Sequence, residues 1–171
     1  MVIWKGKVYR QLIDEFEIKG ITWEQLLDDY VTGFNHNCMP FPNMVKLLEH
    51  LQNDKILLGM ITNGHTALQY SNIKALGIEK YFTTILISEQ EGIKKPDSQI
   101  FMRALERRGV KPTASIYVGD HPINDVQASR NIGMRGVWKK DPFWDSPVEA
   151  DFIIDDLLEL EQIVNQIQSV S

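Results

Sequence analysis

From Lys55 onward the chain repeats one pattern, a short and almost wholly apolar run followed by a stretch with helical spacing. The apolar runs cover residues 55–61, 83–88, 115–119, 134–138 and 151–154. Each has the length of a strand, and none alternates with polar residues as a strand with one wet face would. Helical patterns separate most of them. Leu68, Leu76 and the closing Gly77 mark one helix, Ile100, Phe101, Ala104 and Leu105 before Gly109 a second, and residues 126–133 a third. Strands that are apolar on both faces and joined by helical crossovers predict a doubly wound α/β fold, a parallel sheet covered by helices on both sides.

The first fifty residues read differently. Thr22 with Gln25 three residues on forms a capping box, and Leu26, Leu27, Tyr30, Val31 and Phe34 then line one helical face. Met44, Leu47, Leu48 and Leu51 form another apolar stripe, with Pro42 suited to its first turn. Pro40 is the expected boundary between an all-helical piece and the alternating one. With 171 residues, the whole is large enough to bury a core as one domain with a small appendage.

A net charge of −5 supplies no basic footprint, which argues against nucleic acid or an anionic membrane as partner. No apolar run approaches the ~20 residues needed to span a bilayer, and no signal-type segment opens the sequence. Cys38 is the single cysteine, so no intrachain disulfide framework exists and a reducing, cytoplasmic setting is expected.

Ligands of a doubly wound sheet bind beyond the carboxyl ends of its strands, and three motifs fall there. Thr62-Asn63-Gly64 closes the first apolar run, Lys95-Pro96-Asp97 follows the second, and Gly119-Asp120 with Asp125 closes the third. Taken singly, each has a plain reading: Asn63-Gly64 as a turn, Lys94 and Lys95 as solvated charges before a helix capped by Asp97 or Ser98, and Asp120 as a strand end followed by an Asn124 or Asp125 cap. Their order and their common placement at one sheet edge favour a shared site.

These motifs make the chain similar to the haloacid dehalogenase-like hydrolase superfamily, particularly its members with a helical cap. The matching residues are Gly59 to Gly64, Lys95 to Phe101 and Tyr117 to Val126. Asn131-Ile132-Gly133-Met134 leading to Val137-Trp138, and Ala150 to Ile154, also resemble the family's closing elements. The resemblance implies a partial helical cap over residues 1–40 and an α/β core over residues 41–171. It implies hydrolysis of small phosphorylated metabolites with Mg2+. Thr62, Asn63 and Gly64 would then bind the phosphate, and Lys95 would neutralise it and the attacking carboxylate. Asp120 and Asp125 would position the metal. Dehalogenation is the family's other hydrolytic chemistry, and Gly119-Asp120 with Asp125 favours the metal-dependent branch.

The same resemblance implies a nucleophilic aspartate, with a second aspartate two residues on as acid and base, at the end of a strand before the cap. Asp14, Asp28, Asp29 and Asp54 are the aspartates before Thr62, and none follows a strand-like run. Asp155-Asp156 does, but in the position of the family's final strand. The absent strand would be central, between those ending at Thr62 and Asp120. The expectation is therefore a truncated chain, inactive alone and binding Mg2+ weakly. The gap would be closed by the flanking strands, by another segment or subunit, or by a longer natural chain. A non-catalytic phosphate-binding module and a strand-filled or swapped homodimer remain as alternatives.

Other residues have structural readings. His36 and Cys38 are too few for a zinc site. His65 and His121 are expected at helix starts or in loops, and Trp138, Phe143 and Trp144 in a loop at the site mouth. The stripe from Leu26 to Phe34 is expected in the core or against the rest of a cap.

Overall fold

The computed structural model describes residues 2–144 and 147–170. Three helices come first: α1 (Val2–Glu15), α2 (Trp23–Gly33) and, after a 3-10 turn at Phe34–Asn37, α3 (Met44–Asn53). The capping box forms as the sequence implies, with Thr22 accepting from the Gln25 amide and the Gln25 side chain accepting from the Thr22 amide. α3 starts two residues later than the proline pattern suggests. Asn43, in a left-handed conformation, precedes it, and the Asn43 carboxamide donates to Asp156 at the far end of the chain. The His36 side chain lies outside the described residues.

The alternating part contains β1 (Gly59–Thr62), α4 (Thr66–Ala75), β2 (Thr84–Ile87), a single turn α5 (Ser88–Glu91) and α6 (Ser98–Arg108). β3 (Ile116–Gly119), a π-helical turn at Pro122–Gln127 running into α7 (Ala128–Arg130), β4 (Arg135–Lys139), β5 (Phe152–Ile154) and α8 (Glu159–Val170) follow. The first apolar run begins its strand four residues late, because Lys55 takes a left-handed turn conformation and residues 55–58 lead out of α3. α8 was not anticipated, although Leu160, Ile163, Val164 and Ile167 carry its helical spacing.

Every pairing is parallel, in register Ile61 with Leu86, Val118 with Val137 and Trp138 with Ile153. Alternation along the strands feeds two helical layers. On one face, Leu47 and Leu51 of α3 and Leu160 and Ile163 of α8 pack with Val137 and Ile154, with Ile116 and Val118 against them. That layer continues through α4 to Met60 and Ile85. On the other face, Ile100, Phe101 and Leu105 of α6 pack with Leu86, Ala128 and Met134, and with Ile61 and Tyr117. This is the doubly wound α/β fold that the alternation implies.

The sheet is broken, however. β1 pairs only with β2, and β3 only with β4, so a two-stranded and a three-stranded sheet lie side by side beneath shared helices. The break falls between the strands ending at Thr62 and Gly119, the position of the strand the family resemblance requires, and the flanking strands do not close up. Burial marks the same place. Leu86, Ile87 and Val137 on the outer sides are 0% exposed, whereas no residue of β1 or β3 is fully buried. In an unbroken sheet the central strands would be the driest.

One charged knot anchors α6. The Glu91 carboxylate, 5% exposed, accepts from Arg103 at 2.8 Å and from both terminal nitrogens of Arg107 at 2.8–2.9 Å. The Arg103 hydrogen bond, and after it Arg107, hold the Glu91 carboxyl below its ordinary value against the opposing effect of burial. Because the folded value is the lower one, the stabilisation is full above the ordinary glutamate range and is lost as pH falls through the depressed folded value. Glu91→Gln is therefore expected to cost about 1–3 kcal/mol at pH 7 and to flatten the acid limb of stability. Urea unfolding of both proteins at neutral and acid pH checks this, and an unchanged acid limb would refute it.

Candidate active site

The carboxyl ends of β1 and β3 carry the three motifs. Thr62 is the last residue of β1, and its hydroxyl donates to Gln69 Oε1 of α4 at 3.2 Å. Gly64 follows with φ 152°, a conformation that favours glycine, and a Cβ there would lie 2.6 Å from Gln69 Nε2 and push that side chain aside. The Gly64 amide donates to Ser88 Oγ at 3.0 Å. Behind the turn, Glu89 accepts from the Thr66 amide at 2.7 Å and pairs with His65 Nδ1 at 2.8 Å. The Thr66 amide, then the His65 ring, hold the Glu89 carboxyl below its usual range.

Asn63 joins the first motif to the second. Its carboxamide donates to the Lys95 carbonyl at 3.0 Å and accepts from the Lys95 amide at 2.9 Å, a two-point clamp that imitates a strand rung. Asp97 caps α6 by accepting from the Gln99 amide at 2.9 Å, as the sequence implies. The Lys95–Pro96 peptide is cis.

Lys95 then reaches the third motif. Its ammonium lies 2.5 Å from Asp125 Oδ1 and 3.1 Å from the Tyr117 hydroxyl, and its side chain is 12% exposed. The plain reading of Lys95 as a solvated charge is thus corrected: it is an inward cation paired with a carboxylate. Asp125 is itself buried, at 4% exposure, and its Oδ2 accepts from the His121 amide at 3.2 Å. Gly119 makes room for it, since a Cβ on Gly119 would collide with the Asp125 side chain. His121 caps the π-helical turn, its Nδ1 accepting from the Ile123 and Asn124 amides.

Asp120 stands apart from this cluster. It is exposed, its carbonyl accepts from Trp138 Nε1 at 2.8 Å, and among the described residues its carboxylate makes no protein hydrogen bond. Trp144 packs on the His121 ring at 4.8 Å and meets Phe143 edge to face. Sequence reading missed Gln69, Ser88 and Tyr117, which occupy the donors and acceptors of the named residues. Tyr117 alone left a signal, a polar atom within a run that is otherwise almost wholly apolar. Burial first, then the negative charges of Asp125 and Asp120, push the Tyr117 hydroxyl well above its ordinary value, so it stays protonated.

No group of three or more His, Cys, Asp or Glu able to hold a metal occurs among the described residues. The donors that are present nonetheless suit magnesium, which takes hard oxygens and is typically held by one or two carboxylates plus waters and phosphate oxygens. Asp120 offers an exposed carboxylate with no protein hydrogen bond among the described residues, and Asp125 a buried one.

A parallel α/β core with polar groups gathered at the carboxyl ends of β1 and β3 defines the class, a doubly wound domain with its candidate site at the sheet edge. The sequence pattern of the haloacid dehalogenase-like hydrolases matches residues 4–139. A glyceraldehyde 3-phosphate phosphatase of Pyrococcus furiosus is 33% identical over 130 residues, which are 73% of this chain and 54% of that protein. The crystal structure of a HAD phosphatase from Thermococcus onnurineus superimposes with a TM-score of 0.72 at 28% identity, covering 91% of this chain and 69% of the other. A 2-haloacid dehalogenase from Pseudomonas syringae gives 0.68 at 30% identity, covering 95% and 70%. The chain belongs to the haloacid dehalogenase-like hydrolase family, and it spans about half the length of the curated relatives it matches. No described helix is long and apolar enough to cross a membrane.

Proposed function

We propose that residues 41–171 form the phosphate- and magnesium-binding part of a phosphate monoester hydrolase, and that residues 1–40 belong to its helical cap. The substrate class is a small phosphorylated metabolite, and the setting cytoplasmic. The observation that carries this reading is the inward Lys95 ammonium, held by Asp125 and Tyr117 at the sheet edge where β1 ends in Thr62 and β3 in Gly119. Phosphoryl transfer asks a protein chiefly to position three equatorial oxygens and neutralise their charge. Lys95 supplies the compact positive charge. The Thr62 hydroxyl and the amides of the Asn63-Gly64 turn supply hydrogen bonds; the hydroxyl donates to Gln69 and the Gly64 amide to Ser88 in this structure. Asp120 would hold magnesium, with Asp125 as a second carboxylate already oriented by the His121 amide. When bound, the ion neutralises and orients the phosphoryl group.

The nucleophile lies outside these groups. Asp14 sits in α1, Asp28 and Asp29 in α2, and Asp54 at the end of α3, none at a strand's carboxyl end. Asp155 and Asp156 follow β5 but are engaged by Lys140 and Asn43. An aspartate-bearing strand entering between β1 and β3, from a segment beyond these residues or from a partner subunit, would complete the site. The unpaired edges of β1 and β3 support that reading and its dimeric variant, a strand-filled or swapped pair. The kinship to a 2-haloacid dehalogenase keeps carbon–halogen hydrolysis as the second reading, and the exposed Asp120 carboxylate argues for the metal-dependent reaction.

Residues 1–171, purified, are expected to bind inorganic phosphate weakly and to show no magnesium-dependent hydrolysis of p-nitrophenyl phosphate. Turnover that Asp120→Ala abolishes would refute the inactivity. Absence of any phosphate-induced shift in the NMR resonances of residues 62–64 would refute the phosphate site.

A further inference from the structure

Tyr117 joins Lys95 to the end of β1 through a single oxygen. Its ring sits on the α6 face, edge to face with Phe101 at 4.9 Å. Its hydroxyl lies 3.1 Å from Lys95 Nζ and 3.2 Å from the Ile61 carbonyl. The directions are forced by chemistry: an ammonium has no lone pair, so it donates to the phenol oxygen, and the phenol proton goes to the carbonyl. Ile61 is the residue before Thr62. The hydroxyl thereby spans the break between the two sheets and ties the ammonium to the strand that carries the first motif. An ammonium has three N–H bonds. Asp125 takes one and Tyr117 another, and among the described residues the third has no protein acceptor.

We propose that Tyr117 is a positioning residue, whose hydroxyl fixes the Lys95 ammonium relative to Thr62 so that its remaining N–H is available to an oxygen of a bound phosphate. This rests on the phosphate-binding reading of the site. Asp125 alone would hold the charge nearby, but a single contact leaves the ammonium free to rotate about it. A second contact on a rigid ring reduces that freedom before the anion arrives, and preorganisation of this kind shows as affinity. Packing against Phe101 would by itself need only the ring.

Tyr117→Phe keeps the ring and removes the oxygen. In the unmodified protein the Lys95 side-chain ammonium is expected to give a slowly exchanging 1H–15N resonance, assigned by its loss in Lys95→Met. In Tyr117→Phe that resonance should shift and exchange away, while the thermal midpoint stays close to that of the parent. Affinity for inorganic phosphate, followed by NMR titration, should fall about tenfold, equivalent to about 1.4 kcal/mol. An ammonium resonance and a phosphate affinity both unchanged in Tyr117→Phe would overturn the proposal and leave the ring as packing only. Should that variant unfold, the unmodified protein decides: a nuclear Overhauser contact between the Tyr117 hydroxyl proton and the Lys95 ammonium supports the bridge, and its absence overturns it. Failure of the unmodified protein to bind phosphate would overturn the reading of the site, with Tyr117 still judged by the Lys95 resonance.

Discussion

Lys95→Met in residues 1–171 is expected to lower the free energy of unfolding by about 2–4 kcal/mol and to abolish phosphate binding. The stability loss follows from what is left behind. Asp125 is buried beneath the end of β3 with Lys95 as its cation, and a buried carboxylate without its partner is costly. The His121 amide still serves one oxygen, which keeps the loss below that of a wholly orphaned charge. The two effects separate in a double-mutant cycle. Lys95→Met with Asp125→Asn should regain much of the stability, since no charge is then stranded, but none of the phosphate affinity. Urea unfolding and phosphate titration of the four proteins check both halves. A loss under about 1 kcal/mol in Lys95→Met would mean that the pair does not carry the weight its burial implies.

The second large effect concerns the break in the sheet. A four- or five-residue apolar strand ending in Asp-x-Asp, joined ahead of Met1 by a flexible linker, is expected to enter between β1 and β3 and confer magnesium-dependent turnover of p-nitrophenyl phosphate. The rate should enter the ordinary enzymatic range of about 1–10³ per second. Length is set by the flanking strands, four residues each, and apolarity on both faces by the helical layers above and below. Direction is set by the parallel neighbours, which would bring the strand's carboxyl end to Lys95 and Asp120. Replacing its first aspartate by asparagine should abolish turnover while keeping any gain in thermal midpoint. A gain in midpoint without turnover would show that a strand fits but the site is not a hydrolase site; neither effect would show that the break is not a strand position.

The fold was legible because parallel strands buried on both faces announce themselves as apolar runs, and Gly77 and Gly109 punctuate the helices between them. Thr62 and Gly119 fell at strand ends as expected for the same reason. The ends of runs were less legible. Residues 55–58 are as apolar as a strand, but a left-handed Lys55 diverts them, and local backbone geometry leaves little trace in hydropathy. The motifs identified Lys95 and Asp125 but not that they meet, because their contact depends on the π-helical turn tucking Asp125 under Gly119. Gln69 and Ser88 were invisible for a different reason. Each is an ordinary polar residue at the start of a helix, and only the tertiary arrangement of α4 and β2 brings them to the Thr62 turn.

The position of the broken ladder also governs how this chain meets other chains. A sheet normally exposes its unpaired groups at its rim, where another sheet can dock broadside and begin aggregation. Here two further unpaired edges, those of β1 and β3, face one another under helices shared by both halves. A neighbour's sheet edge, bulky with its own covering helices, has no broadside approach to them. A single extended segment does, entering lengthwise between the layers, so the geometry of the break filters which chains can pair with it.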